Sequence, residues 1–373
     1  MNTSSLLTLL IAGALDAGSE QASAMHNALT AVLHLQPSLT NATTFQAAVG
    51  LQADLDALTQ VEHGFRSGGS TDPGARSIAA VLTTEIARAR KSLERGDREN
   101  ARAQLKGLTS LCFTCHTLSA TVDWPMAAGA VALPSFERAN FLAATRRFDD
   151  ALTMWSSALK RTPSTRQQVT DQLNALRQAI AVSVSVKDDP VRTLELLDAQ
   201  ALGAVNTPYA ARWVSAWREA TTAWALERFD ARTKSPQQLF TRGKALVVAS
   251  HAAEHILSDE SQTIALLRAT AYLTQALNRE PGARWRSDAL FFLGVATATV
   301  REPLVWGLDG VYFEACIREN PATPVAQRCF SLLMERTLFG FTGSSGTHVP
   351  DDVDERLRTL AVLAAPSPPE APR

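Results

Sequence analysis

The sequence has no strong charge imbalance: 36 Lys and Arg stand against 37 Asp and Glu, for a formal net charge of −1. That excludes a broad basic surface of the kind that tracks phosphate backbones, so no nucleic-acid partner is expected. Cysteine is scarce. Cys112, Cys115, Cys316 and Cys329 are too few to hold 373 residues together as a disulfide framework. Beyond the first residues no stretch approaches the roughly 18 to 20 consecutive apolar residues that a bilayer span requires, so no integral membrane span is expected and the mature chain should be soluble. Runs of alternating β-branched residues bounded by hairpin turns are missing as well, which removes the all-β classes. What remains is 46 % hydrophobic and 20 % charged, enough apolar material for a core and unlike a disordered chain.

Apolar residues recur at helical spacing along nearly the whole chain, and the predicted class is all-α. An apolar run from Leu6 to Leu15, followed by Asp16, Gly18 and Ser19, reads as an export leader over residues 1–19, with small residues at Ala12 and Ala14 or Ala22 and Ala24 for cleavage. Its first residues carry no Lys or Arg. Four helices are then expected: Glu20 to Leu35, Thr44 to His63, Ala75 to Arg95 and Arg98 to Leu118. Pro37, the glycines from Gly64 to Gly74, and Gly96 separate them. Ile78, Leu82, Ile86, Ala89 and Leu93 make one apolar stripe, and Ala101, Leu105, Leu108, Cys112 and Cys115 make another. Mostly short connections favour an up-down-up-down four-helix bundle over residues 20–124.

From residue 125 to 363 the texture changes to helix pairs. Three phrases align at their ends: RFDDALTMWSSALKRTP (Arg147 to Pro163), RATAYLTQALNREP (Arg268 to Pro281) and DGVYFEACIRENP (Asp309 to Pro321). Each sets an aromatic residue ahead of an Ala or Cys, then a polar stretch and a helix-ending proline. The pattern resembles the second helix of tetratricopeptide repeats, with Leu293 and Gly294 in a matching first helix, and implies an α-solenoid with a concave surface for a partner protein or peptide. Pro366, Pro368, Pro369 and Pro372 mark 364–373 as a proline-rich tail without regular structure.

The chemistry lies in Cys112-Phe113-Thr114-Cys115-His116. This is C-x-x-C-H, the attachment sequence of a c-type haem. Two thiols one helical turn apart can bond the vinyl groups along one edge of a porphyrin, and the adjoining imidazole of His116 can take the proximal position on the iron. A redox C-x-x-C would need a thioredoxin-like βαβ setting, and a zinc site would need a second ligand pair; neither is present. The motif's place near the end of a fourth helix resembles cytochrome c-prime and its class II relatives. Over roughly Glu20 to Ser119, that resemblance implies one covalent haem c in a four-helix bundle. The whole chain also resembles a group of exported bacterial proteins that join such a haem domain to tetratricopeptide-like repeats, on the phrases ARAQLKGLTSLCFTCHT (Ala101 to Thr117) and YFEACIRENP (Tyr312 to Pro321).

The sixth iron position decides between roles. In an up-and-down bundle the end of helix four lies beside the end of helix two and the start of helix one, which offers His63, or Met25 and His26, as distal ligands. An open position, or a ligand from elsewhere such as Met126, remains the alternative. A filled site suits electron transfer with a redox partner in a periplasmic assembly; an open one suits a sensor of a small gas or of redox state; a scaffold with a structural haem is the third reading. Cys316 and Cys329, on consecutive helices, are expected to form a disulfide, because haem attachment of this type occurs on the oxidising side of the membrane. His251 and His255 flank Glu254 at i,i+4 spacing without an H-E-x-x-H pattern and read as ordinary histidines. Gly340 to Pro350 lacks the Lys-Ser/Thr ending of a phosphate loop and reads as a structural loop. No nucleophile elbow or Ser/His/Asp order marks an enzyme.

Overall fold

The computed structural model describes residues 23–32, 34–35, 38–39, 45, 50–67, 73–105, 135–199, 208–250, 260–300, 308–344, 346–349 and 351–366. They are overwhelmingly helical, as the periodicity predicts, and they group into two compact units that divide between Ala158 and Leu159. The expected leader and the expected boundary near residue 125 lie outside the described residues, as does the tail beyond 366. Among the described residues no helix is long and apolar enough to cross a membrane.

The first unit holds α1 (residues 23–32, helical again at 34–35), α2 (Leu51–Ser67), α3 (Pro73–Glu94), α4 (Arg98–Leu105), α5 (Ser135–Ala144) and all but the last residue of α6 (Phe148–Leu159). Two expectations are corrected. Helix two is interrupted: Phe45 is helical, but Gly50 takes φ +83°, a left-handed conformation, and α2 starts at the next residue. It also does not end at His63, because the helix continues through Gly64 to Ser67. A lone glycine inside a helix costs only about 1 kcal/mol against alanine, which packing elsewhere offsets. The α3–α4 turn forms as expected at Gly96, φ +78°, where Gly96 N–H donates to Leu93 O and Asp97 N–H to Ser92 O, both at 2.9 Å. Leu82, Ile86 and Ala89 are buried as the stripe predicts, as are Ala101 and Leu105.

The second unit continues with α7 (Arg166–Ala181), a π-helical turn at Val182–Val186, α8 (Pro190–Ala199), α9 (Pro208–Ala225), α10 (Pro236–Ala249), α11 (Thr263–Arg279), α12 (Arg286–Thr299), α13 (Leu308–Glu319), α14 (Pro324–Gly340) and α15 (Asp351–Ala364). Local chemistry sets several starts. Ser235 caps α10 in a full capping box with Gln238, Thr323 caps α14, and a proline occupies the first turn of each. α15 runs to Ala364, so the expected tail begins two residues later, at the helix-stopping Pro366. The Gly340–Pro350 loop is not wholly irregular: Thr342–Gly343 and Gly346–Thr347 form a short antiparallel hairpin, against the expectation of no strand. Gly346 at φ +107° makes that reversal possible.

Consecutive helices of this unit pack as pairs, α10 with α11, α12 with α13 and α14 with α15, and the first helices α10, α12 and α14 also touch in sequence. Glycine permits the close approach. A Cβ on Gly243 of α10 would stand 2.7 Å from Leu273 Cγ of α11, and one on Gly294 of α12 would stand 2.5 Å from Phe313 Cε1 of α13. Leu273 and Phe313 are fully buried, and each lies three residues before the Ala276 or Cys316 of its phrase. Cys316 and Cys329 are bonded, with Cα atoms 6.4 Å apart, and so tie α13 to α14. Gly294→Ala should lower the free energy of unfolding by about 1–3 kcal/mol through overpacking against Phe313. Urea denaturation checks this against Gly282→Ala, where the added methyl meets open space and should change little.

Candidate functional site

The haem-motif residues Cys112, Cys115 and His116 lie outside the described residues, as do Met126, His251, Glu254 and His255. What is described is the frame that leads to the motif. His34 Nδ1 and Asp54 Oδ1 meet at 3.3 Å, near the connected ends of α1 and α2. Arg90 of α3 reaches Asp56 and, at 3.3 Å, Thr59 Oγ1 on α2. Asn100 of α4 donates to Ser92 Oγ of α3 at 3.1 Å. Arg98 then donates to the Phe45 carbonyl at 3.1 Å and Arg102 to the Leu39 carbonyl at 3.2 Å. Four residues forward along α4 thus correspond to six back along the chain. α4 therefore runs antiparallel to the segment from Leu39 to Phe45 that connects α1 and α2.

Of the expected distal ligands, Met25 lies nine residues before His34 and His63 nine residues beyond Asp54. Met25 is half-buried, while His26 and His63 are exposed. The core face of α1 is the Ala24, Ala28, Ala31, Val32 and Leu35 stripe, which places Met25 and Leu29 at its edge. Among the described residues no group of three or more His, Cys, Asp or Glu side chains is placed to hold a metal ion.

The second unit contains a buried charge cluster that the sequence reading missed. Arg268 is only 3 % exposed. Its guanidinium donates twice to Glu227, at 3.1 and 2.6 Å, and lies 4.9 Å from the Trp224 ring and 5.8 Å from the Tyr272 ring. Arg242 also binds Glu227. One turn along α11, Tyr272 donates its hydroxyl to Asp188 Oδ1 at 3.2 Å, and Asp188 sits at φ +52° just beyond the π-helical turn. The available signal was compositional: Arg268 is the only charged residue between Ile264 and Leu277, and a charge on such a face requires a partner.

Electrostatics divides the cluster. Burial pushes the Glu227 carboxyl up, but the hydrogen bonds and charges of Arg268 and Arg242 outweigh it and hold it below its ordinary value. Burial raises Asp188, with the Tyr272 hydrogen bond and Arg268 only partly opposing. Burial likewise raises the Tyr272 phenol. The arrangement joins α11 to the turn after α9 and to the turn after α7, so its chemistry is that of a structural clamp. Glu314 is a second instance: burial raises it, and Arg356 and Arg318 more than compensate and lower it.

The lowered carboxylates stabilise the fold above their ordinary values near pH 4.3, and that stabilisation is lost as pH falls through the lower folded values. The raised Asp188 acts in the opposite sense, because its ionised form is penalised in the fold until protonation relieves it. Thermal melts should therefore show wild-type stability falling on acidification below about pH 4.3, and falling less steeply in Glu227→Gln. At neutral pH, Glu227→Gln should itself cost about 3 kcal/mol by leaving Arg268 buried without its counter-charge. Asp188→Asn, which keeps an acceptor for Tyr272 and tolerates the left-handed backbone, should raise the neutral-pH melting temperature, with the gain vanishing on acidification. No protein-family model matches this chain, and no curated protein and no solved structure matches it significantly.

Proposed function

We propose that this chain is a c-type haem protein that carries electrons within a periplasmic assembly, with its helical pairs binding a partner protein. The observation that carries the proposal is the pentapeptide Cys112 to His116. Its donor set fits haem c: two thiols at i,i+3 spacing for two thioether bonds, and an imidazole directly after them for the iron. When bound, the haem supplies an iron centre that cycles between oxidation states. The protein's part is to hold His116 as proximal ligand, to set the distal position and to keep water from the porphyrin faces. The run of α4 antiparallel to the segment from Leu39 to Phe45 supports a helical bundle that leads on to the motif, some seven residues past Leu105.

The Cys316–Cys329 disulfide supports an oxidising compartment, since such bonds are rare where glutathione keeps thiols reduced. The tetratricopeptide-like reading is supported by the helix pairs themselves. Each aligned phrase lies on a single helix that ends ahead of its proline, and Trp155, Leu273 and Phe313 occupy one equivalent, fully buried position. Gly294 packs on Phe313, as a small residue in a first helix facing a large one in the second requires.

The alternative reading is a sensor of a small gas or of redox state, with the sixth iron position open. Visible absorption and EPR spectra of the protein made in a host competent for cytochrome maturation distinguish the two. Electron transfer predicts low-spin, six-coordinate iron indifferent to carbon monoxide, with conversion to high spin in either His63→Ala or Met25→Ala. High-spin iron that binds carbon monoxide rapidly in the wild type would instead establish the sensor, and a protein without a haem spectrum would refute both.

A further inference from the structure

A chain of ring contacts crosses the three first helices of the second unit. The Lys244 ammonium of α10 lies 5.5 Å from the Phe292 ring of α12; Phe292 meets Phe291 edge-on at 5.1 Å; and the Arg328 guanidinium of α14 lies 4.1 Å from Phe291. The two rings are buried and the two cations exposed. A cation resting on a ring is held in place without being neutralised, so its charge and its donors stay available to a ligand.

Most of the better-buried guanidinium groups of the unit are paired. Arg242 and Arg268 pair with Glu227, Arg286 with Glu319, Arg336 with Asp309, and Arg318 and Arg356 with Glu314. Lys244 and Arg328 have no carboxylate partner among the described residues. α10 has no acidic residue at all. α12 and α14 have one each, Asp288 and Glu335, and neither lies within ion-pair distance of the two cations. Fixed, exposed, unpaired positive charge on an aromatic floor is complementary to carboxylates.

We propose that this row is a docking surface for an acidic segment of a partner protein. The three contacts laid end to end put the two cations at most about 15 Å apart, within reach of carboxylates about four residues apart on an extended chain rising ~3.3 Å per residue. Charge contacts at a solvated surface are screened by salt, which implies a salt-sensitive, rapidly exchanging interaction. That suits a partner that docks and leaves. The inference refines the partner-binding part of the proposed function and does not depend on the haem.

The test is fluorescence anisotropy on the full chain at low ionic strength, with a dye-labelled eight-residue peptide of alternating Glu and Ala. Saturable binding is expected, weakened at least about tenfold in Lys244→Glu/Arg328→Glu. That variant should instead favour the matching Lys-Ala peptide. Lys160→Glu/Arg161→Glu, the same charge change at exposed positions elsewhere in the unit, should leave binding as it was, and circular dichroism spectra of both variants should match the wild-type helical content. Charge-keeping Lys244→Arg/Arg328→Lys should retain binding. Absence of saturable binding, equal loss in both reversal variants, or equal affinity for an oligothymidylate of the same charge would overturn the proposal. A visible spectrum taken on the same samples separates this outcome from the haem assignment: a colourless protein that still binds the peptide refutes only the latter.

Discussion

The close approach of each first helix to its partner governs what the second unit can do. Gly243 against Leu273 and Gly294 against Phe313 bring two backbones together at the cost of helix propensity, and the buried side chains that fill the space come from the second helix. With those contacts made, α12 lies where Phe291 and Phe292 can underlie cations from α10 and α14. A wider separation would leave the rings in water and the cations without a fixed position. Packing in the interior thus determines the charge pattern on the surface.

Charge is handled in two ways in this unit. Where a guanidinium is buried, as with Arg268, it is bidentate to a carboxylate and flanked by aromatic rings, because an unpaired charge in that setting is strongly unfavourable. Where it is exposed, as with Arg328, it rests on a ring alone. The first arrangement holds three chain segments together, and the second leaves charge for something else to meet. The contrast assigns one a structural role and the other a role in recognition.

The helical class was legible because the 3.6-residue period runs through nearly the whole sequence, and the Gly96 turn because a left-handed residue closes it. The start of α2 was misplaced because Gly50, a single residue among helix formers, gave no local sign that it would adopt positive φ. The end was misplaced because Gly64 looked like a breaker when the helix tolerates it. The bonded pair Cys316–Cys329 was readable from its placement across one turn. The clamp around Arg268 was not, since Glu227, Asp188 and Tyr272 are brought to it from distant parts of the chain, and no local pattern encodes such a meeting. The two-residue hairpin near Gly346 is too short for a period-2 signal to register.

For the first unit the account rests on local chemistry more than on fold. Two thiols at i,i+3 spacing with an imidazole beside them form a donor set with few uses other than covalent haem. The most direct measurement is the intact mass of the mature protein, purified from cells that carry out cytochrome maturation and compared with the Cys112→Ala/Cys115→Ala variant. The account predicts that the wild type is heavier than its polypeptide by one haem, retained under denaturing conditions, and that the variant is not. A wild-type mass equal to the bare polypeptide would contradict it.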